Sequence, residues 1–497
     1  MSDVLKAGGE DYGGSLWIQR TPGSTPTFVG CLDLDDIAEP LGDSTLSLCR
    51  DANGRFVTRG RSRGVPGAPT ASITAWVFPE KSILDEIIEA QCPVTLYALS
   101  RTCGRADIFT NWVRGRILLN AVLTNITESN LVKRVEAGEQ AVKIDFSADF
   151  PISRVRGVSA ARQSIAETAN LNDIAFCDSV QCAGSCGAQK DAGYNGFAGA
   201  SPQAGSPGPT ANAWFTTDAG VNWGVGAADP FAAAEDILSV VCFDLTATTK
   251  RRLVAREPNP AKGYAEIAYS DDNGATWTVV QVGAVWNTGA ADQGALFAMD
   301  LYHIWFATNN GRVYFSADGG VTWTLQDSVT VSGGNALNAI AFADADHGYA
   351  VGDTGTIIET TDGGDTWVAI ADPSGADDFT AVEVFSQFRM LAGTGVGGLW
   401  QTWDEGDNFT EQTYPSKVAT DVVQDIQFAN DAVGFMISDT VAPVGRAYRT
   451  VNGGNDWQQI TVPTNVGLNA LAVINENLAY AVGNVQAGTA VVLKISG

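Results

Sequence analysis

The chain has 497 residues, of which 45% are hydrophobic and 54 are glycine, and its formal net charge is −26. This length exceeds one ordinary core, so it predicts at least two domains, and the glycine content is typical of turn-rich β proteins. A surface this acidic disfavours nucleic acid as a bound partner. The start MSDVLKAGGEDYGGS has no apolar h-region and no run of 18 apolar residues occurs, which predicts neither a secretory signal nor a membrane span.

The first 155 residues alternate apolar and polar positions in runs such as SLWIQRT, TASITAWVF and QAVKIDFSADF. A period of two predicts strands, and we expect a β-sandwich here, with a barrel as the alternative. One helix is predicted at residues 79–91, PEKSILDEIIEAQ, because proline and glutamate begin it and its apolar residues share one face. Those residues are Ile83, Leu84, Ile87 and Ile88.

Two polar segments of this domain fit a globular monomer poorly. Residues 1–14 form a Gly-rich arm, and residues 48–70 form a long loop that we expect to be extended. The loop contains Arg50, Arg55, Arg59, Arg61 and Arg63. It is either a disordered surface loop or an assembly loop that orders on a neighbouring subunit, where its arginines meet carboxylates. Nucleic-acid binding is disfavoured because no aromatic platform accompanies the arginines.

The order of these parts resembles the tail tube (major tail) proteins of long-tailed bacteriophages. The text that carries the resemblance is WIQRTPGSTPTFVGCLDLDDIAEPLGD, the GVPGAPTASITAWVF strand, the single helix and CPVTLYALSRTCGRADIFTNWVRGRILLNAVLTNI. The resemblance implies a sandwich with one helix that stacks as hexameric rings into a tube. It also implies that DNA is only cargo in the channel and that a C-terminal domain lies outside.

From residue 216 onward, one short phrase recurs six times. Its skeleton is Ser/Thr, any, Asp, any, Gly, any, Thr/Asn/Asp, Trp/Phe. The copies are TTDAGVNWG (216–224), SDDNGATWT (270–278), SADGGVTWT (316–324), TTDGGDTWV (360–368), TWDEGDNFT (402–410) and TVNGGNDWQ (450–458). Successive copies lie 42 to 54 residues apart, a period typical of four-stranded propeller blades.

A second phrase recurs seven times and predicts seven blades. The copies are LNDIAF (171–176), DILSVV (236–241), LFAMDL (296–301), LNAIAF (337–342), FTAVEV (379–384), VVQDIQF (422–428) and LNALAV (468–473). The seventh unit stops after TAVVLKIS, one strand short. Because an open ring leaves unpaired edges, we expect residues 157–169 to supply the missing strand, with 156–169 as linker and 170–497 as the propeller.

The repeated phrase resembles the Asp-box, or BNR repeat, of sialidases, sortilin-like receptors and photosystem II assembly factors. We interpret each box as the turn between the third and fourth strands, in which the Asp accepts backbone N–H groups and Gly supplies a positive φ. The box residues are therefore predicted to be structural. They are Asp218, Asp272, Asp318, Asp362, Asp404, Asn452, Trp223, Trp277, Trp323, Trp367, Phe409 and Trp457.

The sequence predicts no enzyme, although sialidases share the box. Sialidase chemistry requires an arginine cluster, a Tyr nucleophile with a Glu partner and a proton donor. The arginines after residue 155 are few, the Phe-Arg-Ile-Pro phrase is absent, and only two histidines occur. We also expect no cofactor. For Cys177, Cys182 and Cys186 the alternatives are free thiols, a local disulfide or a metal site, of which the metal is the least favoured.

These features together predict a virion structural protein, made in the host cytoplasm, whose tail-tube domain carries the propeller as exterior decoration. Residues 1–155 hold 16 basic and 19 acidic residues, whereas the remainder holds 14 and 37, so the acidic copies outside would repel each other. The alternatives are a sialidase-like glycan-binding lectin without catalysis and an assembly-factor propeller that binds a protein partner.

Overall fold

The computed structural model divides the chain into two compact units, Met1–Gly157 and Val158–Ser496. The described residues are 14–20, 26–32, 47–50, 56–59, 70–77, 87, 94–100, 114–128, 140–147, 153–163, 165, 167, 169–177, 196–200, 213–218, 222–226, 228, 230–231, 237–245, 249–256, 264–283, 294–326, 329–440, 444–463 and 465–497.

The described strands of the first unit form one antiparallel sheet and one hairpin. The strands are β1 (Gly14–Gln19), β2 (Thr27–Leu32), β3 (Ser47–Arg50), β4 (Phe56–Arg59), β5 (Thr70–Val77), β6 (Val94–Ser100), β7 (Arg114–Glu128), β8 (Gln140–Ser147) and β9 (Ser153–Arg156). The sheet order is β6-β1-β2-β5-β8-β7-β9, and β6 also pairs with β7. Leu16, Leu96 and Ile117 are fully buried, so the core of this unit lies against these central strands.

The predicted sandwich is not confirmed, because six of these strands form a closed hydrogen-bonded circuit rather than two separate sheets. The cause is the length of β7. Residues 115–121 pair with β6, and residues 122–128 pair with β8. β7 therefore pairs with both β6 and β8 and closes the circuit of strands. A closed circuit corresponds to the barrel alternative.

The predicted arginine loop, residues 48–70, is extended where the structure describes it, but part of it forms strand rather than loop. Within it, β3 and β4 pair as a two-stranded hairpin, with Ser47 opposite Arg59 and Arg50 opposite Phe56. Hydrogen bonding along 47–50 and 56–59 therefore replaces part of the expected loop. Arg55, Arg61 and Arg63 lie outside the described residues.

Two further predictions for this unit fall largely outside the described residues. Of the predicted helix 79–91, only Ile87 is described, and it is helical and buried. Of the arm 1–14, only Gly14 is described, as the first residue of β1.

Across the described residues, the second unit contains seven four-stranded antiparallel sheets. Its strands are β10 (Ser159–Gln163), β11 (Leu171–Phe176), β12 (Gly196–Ala200), β13 (Ala213–Thr216), β14 (Gly224–Val225), β15 (Ile237–Asp244), β16 (Lys250–Arg256), β17 (Ala265–Ser270), β18 (Thr278–Val282), β19 (Gly294–Asp300), β20 (His303–Thr308), β21 (Val313–Ser316), β22 (Thr324–Gln326), β23 (Leu337–Phe342), β24 (Gly348–Gly352), β25 (Ile357–Thr360), β26 (Val368–Ala369), β27 (Phe379–Ser386), β28 (Arg389–Thr394), β29 (Leu399–Thr402), β30 (Phe409–Glu411), β31 (Asp421–Phe428), β32 (Gly434–Thr440), β33 (Arg446–Thr450), β34 (Gln458–Ile460), β35 (Leu468–Asn475), β36 (Leu478–Gln486) and β37 (Thr489–Ser496). A short helix α1 (Val329–Ser332) and a 3-10 turn (Asp353–Gly355) interrupt them.

The seven sheets are arranged as the blades of a β-propeller. Six blades take four consecutive strands, from β11–β14 through β31–β34, and the seventh has the order β10-β37-β36-β35. The first strand of each blade contacts the first strand of the next, and β35 contacts β11, which closes the ring. The all-β prediction is thus confirmed for the propeller, whose first strands surround the central axis.

The ring is closed by a strand that precedes the first blade. β10 pairs with β37, with Ser159 opposite Ser496 and Gln163 opposite Val492, so the outer strand of blade seven comes from within residues 157–169. Arg162 holds this pairing. Its guanidinium donates to the Gln486 side chain at 3.0 Å, to Thr489 Oγ1 at 2.7 Å and to three backbone carbonyls.

Packing inside the blades explains the aromatic residue of the box. In blade four, Phe342 lies over Gly348 so closely that a Cβ at this glycine would be 2.4 Å from the ring. The edge of Phe342 meets Trp367 of the box, with 6.1 Å between ring centroids. The same edge-on contact joins the first-strand phenylalanine to the box tryptophan in blades one and six. The box tryptophan is therefore a core residue.

A disulfide joins the first two blades. Cys177, directly after β11, is bonded to Cys242 on β15. The sequence left a free thiol, a local disulfide and a metal site as alternatives for Cys177, and all three are wrong, because its partner Cys242 lies on β15, which is beside β11 in the ring. Cys182 and Cys186 lie outside the described residues.

Candidate functional site

Five boxes share one set of hydrogen bonds, which blade four illustrates. Asp362 Oδ1 accepts the Thr360 hydroxyl at 2.9 Å and the Thr366 N–H at 2.8 Å, and its Oδ2 accepts the Thr366 hydroxyl at 2.6 Å. The Thr360 hydroxyl oxygen accepts the Gly364 N–H at 2.8 Å. Equivalent bonds to the carboxylate recur at Asp218, Asp272, Asp318 and Asp404.

These bonds leave the box carboxylates little capacity for a ligand. Burial disfavours the charged form of Asp362, but the hydrogen bonds from Thr366 and Thr360 outweigh it and lower the pKa below its ordinary value. Hydrogen bonds that favour the charged form have this effect in general. The same balance lowers the pKa of Asp318 and of Asp404.

Blade six has the same box with its polarity reversed. Asn452 accepts the Asp456 N–H at 3.0 Å, as the other boxes do, but its Nδ2 donates to Asp456 Oδ2 at 2.9 Å. Donor and acceptor have exchanged places between the two side chains, so the turn keeps its bonds without an Asp at the central position.

We therefore expect Asn452→Asp to destabilise the propeller, because it places two carboxylates in contact at a fully buried position. The loss should be about 1–3 kcal/mol. The second substitution Asp456→Asn should restore most of it, since the pair would then reproduce the bonds between Asp404 and Asn408 at 2.8 and 2.9 Å. Urea unfolding of both single variants and the double variant tests this, and additive losses would contradict it.

The boxes also join neighbouring blades. The Gly453 carbonyl of blade six accepts Arg389 Nη2 at 2.6 Å and Gln401 Nε2 at 3.2 Å, both from blade five. The Gly363 carbonyl of blade four accepts Gln326 Nε2 of blade three at 2.9 Å. These contacts assign the boxes a role in holding the ring together.

The first strands of all seven blades line an open central cavity of about 350 Å³. Its lining includes Asn309 from the turn between β20 and β21, which places the cavity toward the end where the first strands begin. The carboxylates that line it are Asp173, Glu383 and Asp425. Amides and hydroxyls complete the polar lining, namely Asn172, Ser239, Asn338, Thr380, Gln424, Gln427 and Asn469.

Several polar side chains of the cavity accept a backbone N–H group from the next blade along the chain. Asp173 Oδ2 accepts the Val240 N–H at 2.7 Å, and Asp425 Oδ2 accepts the Leu471 N–H at 2.8 Å. Ser239 Oγ accepts the Leu296 N–H at 3.1 Å. These side chains thereby satisfy N–H groups on inner strand edges that would otherwise lack a partner.

The cavity carboxylates are difficult to ionise. Burial raises the pKa of Asp173 to about 7 and that of Asp425 to about 6, against partial compensation by backbone hydrogen bonds. Burial, together with the charge of Asp425, also raises the pKa of Glu383 well above its ordinary value. Sequence reasoning missed all three residues, although each is the one acidic residue of its first-strand phrase.

A Tyr–Glu pair exists in the propeller, but its setting is unsuited to catalysis. Tyr349 Oη donates to Glu359 Oε1 at 2.6 Å and to the Gln387 carbonyl at 3.1 Å. Tyr349 is fully buried between blades, and burial and the neighbouring carboxylate raise its pKa. An activated nucleophile needs the opposite shift. Among the described residues, no arginine lines the cavity.

Within the described part of the chain, no group of three His, Cys, Asp or Glu side chains is placed to hold a metal ion. No described helix has the length and apolar character that crossing a membrane requires.

Part of the propeller is similar in sequence to a known protein family. Residues 326–480 match the family described as photosynthesis system II assembly factor YCF48. The match runs from the end of blade three into blade seven and covers less than half of the chain. No curated protein matches the sequence.

Solved structures with a similar fold include YCF48 from Cyanidioschyzon merolae, at 15% identity and a TM-score of 0.47, covering 68% of this chain and 98% of that one. A structure titled YCF48 bound to D1 peptide has 15% identity and a TM-score of 0.48, covering 68% and 95%. A xyloglucanase from Xanthomonas campestris has 15% identity and a TM-score of 0.47, covering 66% and 54%. These similarities are too low to transfer a function. Nothing found supports a viral tail tube, and that remains a prediction.

Proposed function

We propose that the propeller is a non-catalytic module that binds a protein partner, as an assembly factor does. The observation that carries this proposal is the match of residues 326–480 to an assembly-factor family. The hydrogen bonding of the propeller agrees with a non-catalytic role, because the box residues and the Tyr349–Glu359 pair are engaged in bonds that stabilise the fold.

The surface that we assign to the partner is the box face of blades three to five. On this face the box turns lie beside the hairpins that join the first and second strands. The Gly363 N–H donates to the Asp346 carbonyl at 2.8 Å in blade four, and the Glu405 N–H donates to the Phe388 carbonyl at 3.3 Å in blade five. Hairpin tips and boxes therefore form one continuous surface within each blade.

The charge of this face indicates the kind of segment that would bind to it. Between residues 263 and 416 the only lysine or arginine residues are Arg312 and Arg389. Arg389 is buried in contacts with blade six, and Arg312 lies in the turn between β20 and β21, at the opposite end of the blade. Two aromatic side chains project from the hairpins, Tyr302 at 60% and Phe388 at 43% exposure. An acidic face with exposed aromatic rings suits a segment rich in Lys and Arg.

Binding of a synthetic Lys/Arg-rich peptide to the whole protein, followed by calorimetry, tests this assignment. We expect Tyr302→Ala and Phe388→Ala to weaken binding several-fold each, and an acidic peptide of equal length not to bind. Val396→Ala is the control, because Val396 is about as exposed as Phe388, at 45%, and lies on the turn between β28 and β29 at the other end of the blade. Equal loss from all three variants, or none from the aromatic pair, would contradict the assignment.

For the first unit we make a separate proposal that rests on the sequence alone. We propose that it is a tail-tube subunit, which stacks in hexameric rings and is located in the virion. We expect residues 1–155 to assemble alone and residues 165–497 to stay monomeric. Deletion of 50–63, which removes β4 of the arginine hairpin, should block assembly. Sedimentation of the three proteins tests this, and assembly of the propeller fragment would overturn it.

A further inference from the structure

Both histidines of the chain lie on the box face. His303 begins β20 and His347 immediately precedes β24, so they occupy the corresponding hairpins of blades three and four. The sequence contains no other histidine. Histidine is the residue type whose side chain ordinarily changes its charge between pH 5 and pH 8. The face that we assign to the partner therefore carries both of these groups.

The two histidines have the same hydrogen-bonding arrangement. Nδ1 of His303 lies 2.9 Å from Asp300 Oδ1, and Nδ1 of His347 lies 2.8 Å from Asp344 Oδ1. Because an ionised carboxylate can only accept, each Nδ1 carries a hydrogen, and Nε2 is the nitrogen that takes up a further proton. Neither Nε2 has a hydrogen-bond partner among the described residues. The side chains are 34% and 23% exposed, so both are accessible from solvent.

His303 adjoins the exposed Tyr302. The Tyr302 N–H donates to Asp300 Oδ1 at 2.7 Å, and this oxygen also binds His303. The His303 ring lies beside Trp305 and Phe315, with 6.2 and 6.4 Å between ring centroids. The imidazole is thereby held next to the tyrosine, and a proton on it adds a positive charge beside this aromatic side chain.

His347 is connected to the exposed Phe388 through one intermediate pair. It interacts electrostatically with Glu359, which accepts the Tyr349 hydroxyl at 2.6 Å. The same hydroxyl donates at 3.1 Å to the carbonyl of Gln387, the residue before Phe388. A proton on His347 therefore adds a positive charge at the boundary between blades four and five, where the second aromatic side chain projects.

We propose that His303 and His347 make binding on the box face dependent on pH, so that a Lys/Arg-rich partner is bound while both are neutral and is released when both are protonated. This inference rests on the proposed function of the box face. The recognised segment is the same, and the histidines add a condition for its release.

The charged groups around the two histidines are predominantly carboxylates from the hairpins, from β25 and from the box of blade five. They are Asp300, Asp344, Asp346, Glu359, Glu405 and Asp407. On the side of blade two, Arg251 donates to the Gly319 carbonyl of box three at 3.1 Å, but Asp271 pairs with it at 2.6 Å. A basic segment is attracted to such surroundings, and two imidazolium charges offset that attraction.

The size of the effect follows from the charge that each ring gains. One unit charge at contact distance in water changes an affinity by about fivefold, so the two histidines together should weaken binding by about twentyfold. The change should occur as the pH falls from 7.5 to 5.5, because imidazole ordinarily becomes charged in this interval.

Calorimetry of the whole protein with a Lys/Arg-rich peptide that lacks histidine tests the proposal at pH 7.5 and pH 5.5. We expect Kd to rise about twentyfold on acidification. The double variant His303→Asn/His347→Asn should abolish most of this rise, and each single variant should reduce it about fivefold. Asparagine is chosen because its amide can still donate to Asp300 and Asp344 but takes up no proton.

Val396→His is the control, because it adds an imidazole on the turn between β28 and β29, at the other end of the blade. It should leave the ratio of the two Kd values as in the wild type. A larger ratio in this variant would show that any added imidazole weakens binding, and it would contradict the proposal.

The remaining outcomes separate this inference from the proposed function. Equal affinity at both pH values would overturn the inference and leave the proposed function standing, whereas no binding at either pH would overturn both. A rise in Kd that survives in the double variant would assign the response to carboxylates such as Glu359 and contradict the inference. If the double variant does not fold, the single variants decide, and thermal unfolding at pH 5.5 checks that the wild type remains folded. Unfolding of the wild type at that pH would also contradict the proposal.

Discussion

Replacement of Cys177 and Cys242 by alanine is expected to lower the free energy of unfolding of the propeller by about 4 kcal/mol. The bridge spans 65 residues of sequence and links the first strands of two blades, so its loss releases a long loop in the unfolded chain. Both cysteines are also buried, which adds a loss of packing to the loss of the cross-link.

Urea unfolding in the presence and absence of a reductant measures this effect. Reductant should lower the midpoint of the wild-type protein close to that of the double variant, and it should leave the double variant unchanged. An unshifted wild-type midpoint under full reduction would show that the bridge contributes nothing to stability.

Replacement of Arg162 by alanine is expected to cost about 2–4 kcal/mol. The guanidinium has five contacts with the turn between β36 and β37, and alanine would leave carbonyls of Gln486, Thr489 and Ala490 without this donor. The strand that closes the ring would then be held to β37 by its ladder and by the packing of Ala160.

Arg162→Lys is the control, because an ammonium keeps the charge but cannot reach the same spread of acceptors. It should recover only part of the loss. Thermal unfolding of the three proteins at one pH measures the series. Equal midpoints for wild type and Arg162→Ala would show that closure does not depend on this side chain.

The sequence predicted the propeller well because its defining signals are local. Every hydrogen bond around Asp362 joins residues at most four positions apart in the chain. The box sequence therefore contains all the groups that form its turn. The missing strand of blade seven was also inferable, because an open edge is costly and one polar segment preceded the first blade.

The features that the sequence did not predict all depend on partners distant in the chain. Asp425 meets Leu471 in the next blade, and Cys177 meets Cys242, and neither pairing has a signature in spacing. β7 appeared as one alternating run, and nothing in that run shows that its two halves bind different strands. The cavity exists only once all seven first strands are assembled.

The strand β10, which completes blade seven, also constrains the order in which the propeller can fold during synthesis. β10 emerges from the ribosome before any blade, yet its partner β37 is the last strand of the propeller. Until β37 has been made, β10 has no ladder to join, so completion of blade seven must follow the synthesis of β37. Contacts this distant in sequence form slowly. A nascent chain that stalls before residue 489 would contain β35 and β36 but not β37, so β10 would have no strand to pair with.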